Sequence, residues 1–349
     1  MPHGKIRSSQ SSHSDPNHKL RVGVIGIGYL GKFHVEKYAS IPEVQIVGLV
    51  DRLIPRAQEW ANKLGAAALA DYRELLGKVD AVSVVVPTDQ HHRVAKDFLQ
   101  SGSDVLLEKP ISSTLWEAED LISTAKKYGR ILQVGHLERF NPALQAARDK
   151  IRAPLFLESH RLTSFRGRGT EVDVVLDLMI HDLDIILHIV RSKVEHIHAV
   201  GVPVLTQRVD IANARLQFEG GCVANITASR ISVEDQRRIR IFQPDTFLTV
   251  DFAAKKVAMY RRIFTPGKAN VEVAVEQIKV KPGDALETEI RSFVHSSMNR
   301  EAPMVTAEDG KRALALALGI NEQIRANIEK IPSISTFYET REGLLDAPW

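Results

Sequence analysis

A single cysteine, Cys222, among 349 residues rules out an intrachain disulfide, so a reducing compartment, by default the cytoplasm, is the expected setting. Long apolar runs are missing as well. No stretch approaches the roughly 18–20 residues a membrane helix requires, so no membrane association is expected. The opening "MPHGKIRSSQSSHSDPNHKL" has no apolar segment and does not read as a secretory signal; residues 1–18 read as a disordered polar tail. Charge of one sign is also scarce. A formal net charge of +3 lacks the dense basic face of a dedicated nucleic-acid binder, yet remains compatible with an anionic small substrate. No internal repeat occurs, low complexity is confined to the tail, and no metal site is expected.

What is present is a soluble globular composition, 44% hydrophobic and 26% charged. The length suggests about two domains. From Lys19 short apolar runs alternate with helical periodicity, the signature of βαβ units. "LRVGVIG", "VQIVGLVD", "VDAVSVVVP", "SDVLLEKP" and "RILQVG" read as buried strands, with a shorter one in "AAALADYRELL" before a helix capped by Asp71. Helices are expected over "YLGKFHVEKYAS", "IPRAQEWANKLG" and "LWEAEDLISTAKKYG". Near-continuous apolar strands imply a parallel sheet covered on both faces, a doubly wound Rossmann domain over residues 19–142.

After Pro142 the texture changes. "VVLDLMIHDLDIILHIV" reads as one largely buried helix. Seven strand-like segments, "PLFLESHRL" and then six in a row from "VEHIHAVGVPVL" to "KVAMYRRI", alternate as Arg238 and Arg240 do against Ile239 and Ile241. Two helices close the chain near 286–298 and 307–328. Residues 143–349 are therefore expected to form an α+β domain for substrate binding and oligomerisation, built on a large open, mostly antiparallel sheet.

The stretch "VIGIGYLGKFH" places Gly26, Gly28 and Gly31 directly after the first strand and at the start of a helix. Asp51 follows Gly31 by 20 residues, at the end of the second strand, the offset of a carboxylate that accepts hydrogen bonds from an adenosine ribose. The first glycine permits the turn, the second lets backbone approach a pyrophosphate, and the third lets helix and strand pack closely. Asp51 should repel a 2′-phosphate and favour NAD; Arg52 beside it keeps NADP possible.

Four further stretches matter together: "VVVPTDQHHRVA" (84–95), "EKP" (108–110), "GHLERFNP" (135–142) and "DLMIHDLD" (177–184). The first three stand at strand ends, where ligands bind in open α/β folds. Asp177 and His181 are i and i+4 and would share one helix face. With these motifs the chain, over residues 20–328, resembles the Gfo/Idh/MocA family of nicotinamide-dependent sugar and polyol dehydrogenases. The resemblance implies catalytic roles for Lys109, His181 and Asp177. It places the cofactor on Gly26, Gly28, Tyr29, Leu30 and Gly31, on Asp51, Arg52, Pro87 and His91, and on Glu108 with Lys109. His91 would pack near the nicotinamide, His92 would be exposed, and Pro110 would follow a cis peptide bond.

"GHLERFNPA" and "VVLDLMIHDLDIIL" resemble the subgroup that oxidises the 3-hydroxyl of a UDP-N-acetylglucosamine-type nucleotide sugar. Arg139 and Asn141 then fall where family members line the substrate pocket. Arg161, Arg166 and Arg168 would meet an anionic diphosphate, or else form a solvated basic loop. Arg237, Arg238 and Arg240 read as an outer sheet face or a subunit contact. A dehydrogenase of a free sugar or inositol, and a catalytically silent NAD-binding sensor, remain the alternatives. Family members are commonly homodimers or homotetramers.

Overall fold

The computed structural model describes residues 19–167, 172–263 and 272–330. The first six strands are β1 (Leu20–Ile25), β2 (Val44–Val50), β3 (Ala67–Leu69), β4 (Ala81–Val84), β5 (Asp104–Glu108) and β6 (Leu132–Gly135). They form one parallel sheet in the order β3-β2-β1-β4-β5-β6. Its helices are α1 (Gly31–Ala39), α2 (Ile54–Leu64), α3 (Thr88–Gln100) and α4 (Leu115–Tyr128). Local chemistry sets their ends. Thr114 and Glu117 form a reciprocal cap at the start of α4, and α2 and α4 stop at Gly65 and Gly129, both left-handed. After Asp71 the expected helix is only one 3₁₀ turn, Tyr72–Leu75, because only Leu75 of its residues is buried.

The second sheet has eight strands. They are β7 (Phe156–Leu162), β8 (Val194–Val202), β9 (Ile211–Phe218), β10 (Val223–Ser229), β11 (Gln236–Phe242), β12 (Thr246–Asp251), β13 (Lys256–Ile263) and β14 (Glu272–Ile278). Their order is β14-β13-β12-β11-β7-β10-β9-β8, antiparallel throughout except for the parallel pair β7 and β10. The edge strand β14 was not anticipated: its side chains are exposed or half-buried, so it carries no inside-outside alternation.

The inner face of this sheet packs on α5 (Pro142–Ala147), α6 (Ile180–Val190) and α8 (Ala307–Ile328) around Leu157, Ile186, Ile226, Ile239 and Ile320. Its outer face carries no helix over the central strands among the described residues. There Phe156, Phe242, Phe247 and Tyr260 run across four strands as a ladder of ring contacts 4.2–5.6 Å apart. The remaining helix, α7 (Ala285–Asn299), returns to the first sheet and packs Leu286, Ile290 and Phe293 among Val22, Tyr38 and Leu49. One face of the parallel sheet is thus sealed by chain that follows the antiparallel one. No helix among the described residues is long and apolar enough to cross a membrane, and no group of His, Cys, Asp and Glu among them is placed to hold a metal ion.

Candidate active site

The carboxyl ends of β1, β2 and β4 frame a groove of about 1000 Å³. Gly26 sits at φ 92°, and a Cβ there would lie 2.4 Å from the Val85 carbonyl oxygen; at Gly31 it would lie 1.8 Å from the Gly26 carbonyl oxygen. The protein's own backbone requires both. Gly28 is different, because a Cβ there meets nothing within 4 Å. Its bareness leaves the groove open beside the amino end of α1, where a diphosphate would be cradled by backbone N–H groups. Asp51 lines the same groove. Its Oδ2 accepts the Ile27 N–H at 2.9 Å and its Oδ1 the Leu53 N–H at 2.8 Å. These bonds orient the carboxylate and leave lone pairs for ribose hydroxyls. Arg52 and Pro87 line the groove too, as do Arg56 and Arg93. Tyr29 stands at the lip, 65% exposed, with Lys32 over its ring, and half-buried Leu30 precedes the first turn of α1. These residues fit a dinucleotide.

Two histidines of this region are structural supports. His91 is 1% exposed, one ring nitrogen 2.8 Å from the Pro110 carbonyl oxygen and the other 2.9 Å from that of Val86. It ties together the loops after β4 and β5, and burial pushes its pKa down. The ring is walled in between the two loops, 1% exposed, so any nicotinamide would meet these loops and not the imidazole face itself. His92 is not simply exposed either, since its Nε2 lies 2.6 Å from the Asp120 carboxylate.

Beneath the turn that bears Lys109 runs a buried polar chain that the sequence reading missed. Tyr38 Oη lies 2.9 Å from Ser83 Oγ, His34 Nδ1 lies 3.2 Å from the same Oγ, and His34 Nε2 lies 3.1 Å from Glu108 Oε1. Burial alone would raise the Glu108 pKa, but the His34 hydrogen bond and the electrostatic pull of His34 and Lys109 hold it below the ordinary carboxylate range. Glu289 of α7 takes the opposite course. It is fully buried, neither carboxyl oxygen has a partner among the described residues, and burial plus the Glu108 charge push its pKa well up. Their surroundings thus drive the two carboxyls in opposite directions.

Lys109, joined to Pro110 by a cis peptide bond, projects from the end of β5 toward the second sheet. Its Nζ donates to the Asp177 carbonyl oxygen at 2.6 Å and lies 3.5 Å from the Asp177 carboxylate. Asp177 does not belong to a continuous α-helix, as the periodicity suggested. It sits in a π turn, Val175–Met179, that leads into α6, with the Ile180 N–H reaching back to the Val175 carbonyl. Such wider turns loosen the backbone ladder and occur often at functional sites. His181 follows in the first turn of α6, half-buried, its Nδ1 enclosed without a partner among the described residues. Burial and then the positive charges of Lys109, Arg161, His136 and Arg237 push its pKa well down, so the imidazole is neutral. His136, directly after β6, completes the group: 1% exposed, with neither ring nitrogen bonded among the described residues. It stands after its strand as Lys109 stands after β5, a signal that could have singled it out.

The expected substrate-pocket and diphosphate contacts are mostly committed elsewhere. Arg161 is buried, with Nε 2.6 Å from Asp182 and Nη1 2.9 Å from Glu138. Arg139 is buried on Asp184 at 2.8 Å, and Asn141 caps α5 while its Nδ2 donates to Glu138 and to the Phe252 carbonyl. These three hold the second domain's interior together, because a buried charge or amide left unpaired would be costly. Arg166 is exposed and pairs with Asp235 at 2.5 Å; Arg168 lies outside the described residues. Arg237 corrects the reading of its cluster. In β11 it alternates with Arg238 and Arg240 and shares the inner face with Ile239 and Ile241, directly opposite Arg161 in β7. It is exposed, faces His181, and its guanidinium has no bonded partner among the described residues.

Residues 20–136 match the model of an oxidoreductase family with an NAD-binding Rossmann fold, and residues 156–244 match the GFO/IDH/MocA C-terminal domain. UDP-N-acetylglucosamine 3-dehydrogenase of Acidithiobacillus ferrooxidans is 37% identical over 312 residues, 89% of this chain and 99% of that protein. Its solved structure matches with a TM-score of 0.82 over 88% and 98% of the two chains. Myo-inositol 2-dehydrogenase of Thermotoga maritima is 27% identical over 87% and 96%. Scyllo-inositol dehydrogenase of Lactobacillus casei, solved with NAD(H) and scyllo-inositol, shares the fold at 20% identity and a TM-score of 0.74 over 88% and 98%. The chain belongs to the Gfo/Idh/MocA family: an NAD-dependent oxidoreductase acting on a CH–OH group.

Proposed function

We propose that this family member oxidises the C3 hydroxyl of a UDP-N-acetylglucosamine-type nucleotide sugar to the 3-keto sugar. The observation that carries this reading is the 37% identity, over nearly the full length of both chains, to an enzyme of that name. The exposed Arg237, whose charge reaches both His181 and Asp235 and whose guanidinium has no hydrogen bond or ion pair among the described residues, supports it, since a guanidinium free to pair suits a diphosphate and has little use for a neutral polyol.

NAD, when bound, supplies the acceptor for the hydride. The remaining chemistry falls to this chain. His181, neutral because of its surroundings, takes the hydroxyl proton. Lys109, held by Asp177, donates to the oxygen as it becomes an alkoxide. The positive field that depresses His181 also eases ionisation of the alcohol, so acid and base stay matched although the imidazole is a weak base. We assign Asp51 to the adenosine ribose and keep NADP as a second cofactor, with Arg52 and Arg56 at the rim to meet a 2′-phosphate. The cytoplasm is the proposed setting. A homodimer or homotetramer would form through the outer sheet face with its aromatic ladder.

Oxidation of inositol or a free sugar is the rival reading, favoured by relatives such as myo-inositol 2-dehydrogenase. A silent sensor should have lost Lys109, Asp177 or His181, and all three are present. With NAD present, the melting temperature should rise with UDP-N-acetylglucosamine and stay put with inositol or glucose, because ligand binding stabilises the native state by mass action. The reverse pattern removes the proposal. Arg237→Ala should raise KM for the nucleotide sugar about tenfold with kcat little changed; an unaltered KM takes Arg237 out of the substrate site.

A further inference from the structure

A second concave site lies at the far end of α6. It has a volume of about 400 Å³ and is walled by Arg148, Arg152, His188 and Arg191, over an apolar floor that includes Leu144 and Ile151. His188 stands seven residues after His181 on the same face of the helix, about 10 Å along its axis. Between them in the chain, Asp184 forms a buried ion pair with Arg139, which also lines the cavity, both side chains under 5% exposed.

The charge here is out of balance. Arg139 is matched by Asp184 and by Asp309 at 3.4 Å. Arg148 and Arg152 are exposed, and neither guanidinium has a hydrogen bond or ion pair among the described residues. Among the described residues Arg191 donates only from Nε to the His188 carbonyl, at 3.3 Å. A cation at a helix carboxyl end is ordinary, and Arg191 fits that description. Arg148, in the turn after α5, and Arg152, in the loop before β7, belong to other elements and make no side-chain bond to the α6 carbonyls among the described residues. Arg191 also holds a left-handed position, φ 52°, where glycine is the usual residue, so a guanidinium is kept there against backbone preference. The imidazole of His188 reports the same positive field: burial and then Arg139 and Arg191 push its pKa down to about 4.

We propose that this cavity is a second anion site, which takes the phosphoryl group of a small phosphorylated metabolite, apart from the catalytic cleft. Three guanidinium forks arranged around one hollow suit a tetrahedral, multiply charged anion better than a planar carboxylate. The volume lies at the compact end of small-molecule sites.

The test uses inorganic pyrophosphate titrated calorimetrically into the full-length protein saturated with NADH, so that the dinucleotide groove is filled. One saturable site is expected. The double variant R148E/R152E, altered only at exposed positions, should weaken it about tenfold or more, while Arg237→Ala and saturating UDP-N-acetylglucosamine leave it unchanged. The proposal is overturned if no saturable binding occurs, if R148E/R152E binds as the parent does, or if the nucleotide sugar competes. None of these results depends on which sugar the catalytic cleft accepts.

Discussion

Glu289→Gln should stabilise the protein, and by an amount that grows with pH. The side chain is fully buried on α7, both oxygens lack partners among the described residues, and the ionised Glu108 lies close enough to oppose a second negative charge. Its folded pKa is therefore raised above the unfolded value. Below about pH 4.5 the carboxyl is protonated in both states and contributes no pH dependence. As pH climbs above that, the unfolded chain releases the proton and the folded chain keeps it. Folding then loses about 1.4 kcal/mol per pH unit until the buried group itself ionises. Glutamine keeps the shape and removes the titration. Its advantage over the parent should be near zero at pH 5 and grow by about 2 °C in Tm per pH unit above it. Differential scanning fluorimetry of both proteins from pH 5 to 8, at fixed ionic strength, reads this directly. A gain that is flat across the series would refute the reasoning. So would a loss that deepens with pH, because it would mean that the carboxylate is ionised and held by a favourable partner.

Lys109→Ala should leave NAD affinity nearly intact while lowering kcat by about two to three orders of magnitude, the loss of one donor to a developing alkoxide; equal turnover would displace it from the site. The acid limb of kcat/KM should lie below the ordinary histidine range, because His181 is depressed by burial and by Lys109, Arg161, His136 and Arg237. His181→Ala should abolish that limb, and its persistence would assign it elsewhere. Gly28→Ala should fold with an unchanged Tm yet bind NAD more weakly, whereas Gly31→Ala should lose several kcal/mol because its Cβ strikes backbone. The same Tm loss in both variants would mean that the open floor at Gly28 has been misread.

Features whose cause is local were legible before any coordinates. The glycine turn, the carboxylate after the second strand, the left-handed stops at Gly65 and Gly129 and most strands of both sheets depend on residues near one another in the chain. The pairing of Lys109 with Asp177 was foreshadowed by motif order, but not the π turn, which shows only in the backbone. Arginines misled most. Arg161 and Arg139 look like their solvated neighbours in a sequence, and only the fold brings Asp182, Glu138 and Asp184 against them. Arg237 could have been told from Arg238 and Arg240 by the alternation of β11, since it keeps phase with Ile239 and Ile241. Grouping it with its neighbours by charge hid that signal. Glu289 gave none, because a glutamate amid helical residues reads as a solvated face.

The return of α7 to the parallel sheet has a practical meaning for anyone dividing the gene. A fragment ending at residue 142 would leave Val22, Tyr38 and Leu49 without the cover that Leu286, Ile290 and Phe293 provide. Such a piece would present a greasy flank to water and clump instead of behaving as a free-standing nucleotide binder. Excising it cleanly calls for grafting the 285–299 helix onto the fragment through a short linker, or for recoding that flank with polar side chains.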